Sequence, residues 1–176
     1  MRERHIGRRD GRGGGAGGVP GPGICEESRV DKVLFTIGYE GADSERFVAA
    51  LAGAGIGLLA DVRAVALSRK RGFSKSALRD RLAESGIGYA HLRGLGTPKA
   101  GREAARAHDA ALMRRIYCAE VLDTGAGEAA LDDLAALAAG APTCLLCFER
   151  DPERCHRRVL GERLADRGFR IVDLFA

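Results

Sequence analysis

The stretch CFERDPERCHRRVL, Cys147 to Leu160, gathers two thiols, an imidazole, three carboxylates and four guanidinium groups around one proline turn. An apolar run stops at Glu149, and an amphipathic run begins near Cys155. Cys155 therefore falls at or beside a helix N-terminus, where unpaired N–H groups favour a thiolate. Arg154, Arg157 and Arg158 add positive charge, and His156 carries or relays a proton. The expectation is a low-pKa nucleophile at Cys155, or an anion cradle in which the thiol is incidental. Glu149 and Asp151 offer a general base or partners for the arginines. Two familiar chemistries do not fit. A phosphatase or rhodanese loop needs an arginine after five residues following a strand-end cysteine, whereas six residues separate Cys147 from Arg154. A zinc set of Cys144, Cys147, Cys155 and His156 conflicts with strand alternation, which sends Cys144 and Cys147 to opposite faces. No metal is expected on that ground, and Cys144 reads as a small core residue.

Other segments carry similar chemistry. Asp61 and Arg63 lie two apart at a strand end and so share a face, as an ion pair or as ligand contacts. Ser68, Arg69, Lys70 and Arg71 precede a helix start at Ser74, which suits an anion or a solvated surface loop. The run GLGTPKAG lacks the spacing of a phosphate loop and reads as a turn. His91 reads as structural, and His108 as a helix residue on the surface or in packing.

These segments need a scaffold, and the chain between them alternates. KVLFTIGY, IGLLADVR, GYAHL, TCLLCFE and RIVDLF read as strands; helical patterns lie between them, most closed by glycine, the first starting at a Ser44 cap and another running from Gly101 to Thr124. The expected fold is a single three-layer α/β domain over 31–176. Its mostly parallel sheet has about five strands and helices on both faces. With aromatics at 5% and no Trp, alanine and leucine fill the core, which favours helices on a sheet over a sandwich. Ligands in such sheets sit beyond the carboxyl ends of the strands, where most of these chemically interesting residues fall. Residues 1–30, with GRGGGAGGVPGPG, read as a disordered leader; residues 1–23 carry +3 of the net charge of +4, and the remainder of the chain is nearly balanced. The five cysteines are odd in number and irregularly spaced, no apolar run approaches a membrane span, and a reducing cytoplasm is the expectation.

TIGYEG, ADVRAVALSRKRGFS, YAHLRGLGTPKAGR and LLCFERDPERCHRRVL, in that order, resemble the domain of unknown function family 488 from about Val33 to Phe175. The resemblance implies a compact α/β domain. It maps the family's polar positions onto Gly38, Tyr39, Asp61, Arg63, Ser68, Arg69, Phe73, Ser74, Cys147, Glu149, Cys155, His156 and Arg157. One departure is AVAL, Ala64 to Leu67, where the family commonly holds a proline-containing pair. The expected function is a small enzyme, a hydrolase or transferase without organic cofactor, acting on an anionic small molecule or nucleic-acid component. Cys155, His156, Glu149 and Asp61 are the expected catalytic groups; Tyr39, Arg63, Ser68, Arg69 and Arg157 are the expected substrate contacts. The alternatives are a non-catalytic anion or nucleic-acid binder and a thiol redox sensor using Cys147 and Cys155.

Overall fold

Five parallel strands form one sheet in the order β3-β2-β4-β1-β5 in this computed structural model, which describes residues 32–176. The leader expected over residues 1–30 lies outside the described residues. The strands are β1 (Lys32–Gly38), β2 (Leu58–Asp61), β3 (Gly88–His91), β4 (Thr143–Cys147) and β5 (Phe169–Leu174). The helices are α1 (Ser44–Gly53), α2 (Lys75–Glu84), α3 (Lys99–Arg106), α4 (Ala110–Tyr117), α5 (Gly125–Gly140) and α6 (His156–Ala165). This is the expected three-layer architecture.

Two apolar cores flank the sheet. Phe47, Val48 and Leu51 of α1 and Leu78 and Leu82 of α2 pack with Ile37, Leu59, Cys144 and Leu146 on one face. Residues of α3 to α6, among them Ala104, Tyr117, Leu131 and Leu160, pack with Leu34, Ala60 and Leu145 on the other. The period-2 alternation of β4 divides it between these cores, as a strand buried on both sides requires.

The local signals hold with two corrections. Helix α1 is capped by Asp43, not Ser44: the carboxylate accepts from Glu45 N at 2.8 Å and Arg46 N at 3.2 Å. Ser44 instead accepts from Arg81 at 2.9 Å, which ties α1 to α2. The single helix expected from Gly101 to Thr124 is broken at residues 107–109. His108 takes a left-handed φ of 61°, and Asp109 caps α4 by accepting from Leu112 N at 2.8 Å. A strong N-cap residue competes with continuation of the helix, and here it wins. His108 therefore sits on an exposed corner, not within a helix.

The topology fixes where loops part. After β1 and β2 the chain leaves for the α1/α2 face, and after β4, which lies between them, it leaves for the α6 face. The register Gly38↔Cys147 and Asp61↔Leu146 brings the three strand ends level. A crevice at that edge follows from diverging connections.

Candidate functional site

Two glycines let the loops close over this edge. A Cβ on Gly38 would lie 1.8 Å from the Glu149 carbonyl oxygen, and one on Gly96 would lie 2.2 Å from Ala64 N. The turn after β4 thus lies directly on the end of β1, and the turn after β3 lies on the turn after β2.

Asp61 and Arg63 form the buried frame beneath. The Arg63 guanidinium grips the carboxylate twice, Nε to Oδ1 at 2.8 Å and NH2 to Oδ2 at 2.6 Å. Asp61 also accepts from Arg63 N at 3.1 Å and from the Tyr89 hydroxyl at 2.6 Å. The remaining Arg63 nitrogen donates to the Phe73 carbonyl at 2.9 Å, and its plane lies 5.1 Å from the Tyr39 ring centroid. Burial opposes the Arg63 charge, but the Asp61 carboxylate outweighs it and holds the guanidinium more firmly protonated than usual. Asp61 is fully buried with every acceptor direction filled, so its geometry is that of an anchor for Arg63. His91 ties the same frame, its Nε2 lying 2.9 Å from the Arg63 carbonyl.

Arg157 is likewise a tie. It is 1% exposed and donates to Thr36 Oγ1 at 3.1 Å, to the Arg150 carbonyl at 2.8 Å and to the Glu149 carbonyl. Each of its three guanidinium nitrogens is used in holding the turn after β4 onto β1. The expected substrate contact at Arg157 is replaced by this internal role, because the helix start aims the side chain inward.

Beside the turn lies a cluster that sequence alternation did not bring together. Cys144 does point to the opposite face of the sheet from Cys147, as expected. Cys147, the last residue of β4, faces α6, whose N-cap is Cys155 and whose first residue is His156. His156 Nδ1 is 3.5 Å from Cys147 Sγ and 3.8 Å from Cys155 Sγ, and the three donor atoms lie within 4.8 Å of one another. The Cys147 thiol donates to Glu149 Oε2 at 3.1 Å. His156 Nε2 faces the Val62 carbonyl at 3.0 Å.

The electrostatics reverse the expectation for Cys155. Burial pushes its thiol well above the ordinary range, and the neighbouring Cys147 adds to the shift. Burial also raises Cys147, with the Glu149 charge contributing. The helix N-terminus is present, but desolvation at 2% exposure outweighs it. Glu149 goes the other way: burial opposes its charge, yet the neighbouring Cys155 and Cys147 thiols, the latter donating to it, hold it below the usual carboxylate value. Burial likewise opposes a charge on His156, and interactions with Cys155, Glu149 and the Val62 carbonyl raise its pKa overall.

A cleft of about 790 Å³ opens over this cluster. Cys147, Glu149 and His156 reach it; Tyr39, Arg63, Ser68 and Arg69 also line it, whereas Asp61, Cys155 and Arg157 stand behind its wall. Arg102, Arg106, Arg154 and His108 complete it from α3, the α3–α4 corner and the turn after β4. Sequence reasoning placed Arg154 as a positive charge beside Cys155 and read His108 as a helix residue, but missed Arg102 and Arg106. The available signal was the four-residue spacing of Arg102 and Arg106, which places both on one helix face. Ser68 accepts from Lys70 N at 3.1 Å and so shapes its loop, while Arg69 is exposed on the rim. The AVAL departure leaves Val65 and Leu67 on the same rim, 51% and 78% exposed, opposite the half-exposed Phe148.

Fold and cleft together define a parallel α/β domain with a basic pocket at its carboxyl edge. The family described as Domain of unknown function DUF488 matches residues 43–164, and the chain belongs to that family. No curated protein and no solved structure matches the chain. Among the described residues, no helix is long and apolar enough to cross a membrane.

Proposed function

We propose that the protein is a small enzyme acting on an anionic substrate held in this cleft, with Glu149 as general base. The supporting observation is charge. Six cationic side chains line the cleft (Arg63, Arg69, Lys70, Arg102, Arg106 and Arg154) against three carboxylates (Glu40, Glu149 and Asp151). Among the described residues, only Arg63 of the six is ion-paired. Unpaired guanidinium groups around a concavity favour phosphate or carboxylate ligands.

The chemistry follows from protonation. Thiols kept neutral by burial are poor nucleophiles. Glu149 is kept ionised and reaches the cleft. A carboxylate so placed takes a proton from an attacking water or hydroxyl, which makes hydrolysis or group transfer the reaction class. The exposed ring of Phe148, edge-on to Tyr39 at 5.3 Å, with Val65 and Leu67, offers an apolar shelf for the uncharged part of a nucleotide-like ligand. The described cysteines Cys118, Cys144, Cys147 and Cys155 are free thiols, which fits a reducing compartment such as the cytoplasm.

The test is calorimetric titration of inorganic phosphate, phosphate monoesters and nucleotides, followed by turnover assays with the compounds that bind. Arg69→Ala and Arg102→Ala each weaken binding, by about 1.5–3 kcal/mol per lost charged hydrogen bond. Glu149→Gln keeps binding and loses turnover. Absence of anion binding, or binding indifferent to both arginine substitutions, overturns the reading.

A further inference from the structure

Three donors of the kind that hold transition metals meet at one buried point: the thiols of Cys147 and Cys155 and the Nδ1 of His156, in residues 5%, 2% and 4% exposed. We propose that Cys147, Cys155 and His156 bind one tetrahedral divalent metal ion of the zinc class, with its fourth position directed at the cleft beside Glu149. The inference concerns the floor of the proposed catalytic cleft. It rests on that reading only for its part in turnover, since metal binding stands without any anion.

Distance is the first argument. Zinc–sulfur bonds of about 2.3 Å and zinc–nitrogen bonds of about 2.0 Å at a tetrahedral angle set sulfur and nitrogen roughly 3.5 Å apart. The two S···N separations here are 3.5 and 3.8 Å. The two sulfurs lie within 4.8 Å of each other, against the roughly 3.8 Å that a tetrahedral zinc sets, so the thiols draw together on binding while the imidazole stays in place.

The second argument is the imidazole. Its Nε2 lies 3.0 Å from the Val62 carbonyl, which can only accept, so Nε2 carries the hydrogen. In the neutral ring the lone pair is then on Nδ1, the atom aimed at both thiols. A backbone carbonyl orienting the far nitrogen is the usual outer support of a metal-bound histidine.

Position is the third. Cys147 ends a central strand, and Cys155 and His156 begin a helix, so the set is held by two rigid elements. Two thiolates and an imidazole select zinc-class ions over magnesium or calcium. Three protein ligands with an open fourth position are the arrangement of catalytic rather than structural zinc. Cys147 and His156 both reach the cleft, so the open side faces it. Glu149, 3.1 Å from Cys147 Sγ, stands where it would accept a proton from metal-bound water. Binding balances simply. Two S–H bonds break, two sulfur–metal bonds form, histidine donates its lone pair, and two protons leave to solvent as one dication enters.

The experiment uses the full chain, reduced, in a Cys25→Ser, Cys118→Ser background that lowers the number of competing thiols. After chelation, Co(II) is titrated in. The expected result is one equivalent bound, a thiolate-to-cobalt charge-transfer band and tetrahedral d–d absorption, all displaced by Zn(II). Cys147→Ser, Cys155→Ser and His156→Ala each weaken binding by at least about tenfold. Should a variant fail to fold, alkylation followed by mass spectrometry on the parent decides: metal protects Cys147 and Cys155 but not Cys144 in denaturant-free protein opened at high pH. Substoichiometric uptake overturns the proposal. So does a charge-transfer band that survives both cysteine substitutions, or a Cys147–Cys155 disulfide formed in air by protein that takes up no metal when reduced. Phosphate titrated into metal-free protein reads the anion site separately, so either reading can fail alone.

Discussion

Asp61→Asn separates an anchoring carboxylate from a catalytic one. The substitution keeps the shape and leaves an acceptor for the Tyr89 hydroxyl, 2.6 Å away. It removes the charge opposite Arg63, a guanidinium only 5% exposed and gripped at 2.8 and 2.6 Å. An uncompensated buried charge costs about 3–5 kcal/mol. Arg63 keeps its bond to the Phe73 carbonyl and gains partial amide contacts, so the lower end, about 3 kcal/mol, is expected. At about 2–4 °C per kcal/mol for a domain of this size, the melting temperature falls by roughly 6–12 °C. The assay is equilibrium urea denaturation, with a lower midpoint at unchanged slope. Replacing both partners, Asp61→Asn with Arg63→Met, removes the stranded charge and recovers part of the loss, giving a coupling of about 1 kcal/mol or more. An Asp61→Asn protein within about 0.5 kcal/mol of the parent, with activity abolished, would refute the anchoring argument and restore Asp61 as a catalytic group.

Gly38→Ala drives a methyl into the Glu149 carbonyl at 1.8 Å, so the turn after β4 must lift; a loss of about 1–3 kcal/mol in urea denaturation and faster alkylation of Cys147 are expected. In metal-free reduced protein, Cys155 alkylates only above the ordinary thiol range of about 8.5, because burial holds it neutral. A pH–rate profile with its inflection below that value would restore the activated thiol. Burial raises Tyr89 and Tyr117, with the Asp61 carboxylate adding to the shift at Tyr89. Their folded pKa values lie above the unfolded value of about 10, so stability is full below pH 10 and declines as the unfolded chain ionises above it. Phenolate absorbance should then rise together with unfolding in an alkaline titration, and Asp61→Asn should bring Tyr89 down.

The amino-acid sequence by itself determined the strand–helix alternation, and with it the parallel sheet and the edge where chemistry gathers. Period-2 apolar runs and glycine-closed helices are local signals, and a parallel sheet leaves few ways to connect them. The divergence of Cys144 from Cys147 and the placement of Cys155 at a helix start were legible for the same reason. Only the tertiary structure decided which polar groups face the cleft. Arg157 and Asp61 carry the same residue types as site residues, yet one is spent on backbone carbonyls and the other on Arg63 and Tyr89, and no spacing rule encodes a partner 121 residues away such as Thr36. Cys155 keeps its helix N-terminus and still loses the low pKa, because burial is a property of the packed layers and not of the helix. The meeting of Cys147 with Cys155 and His156 depends on where α6 docks against β4, and that docking is set by two apolar cores assembled from the whole domain.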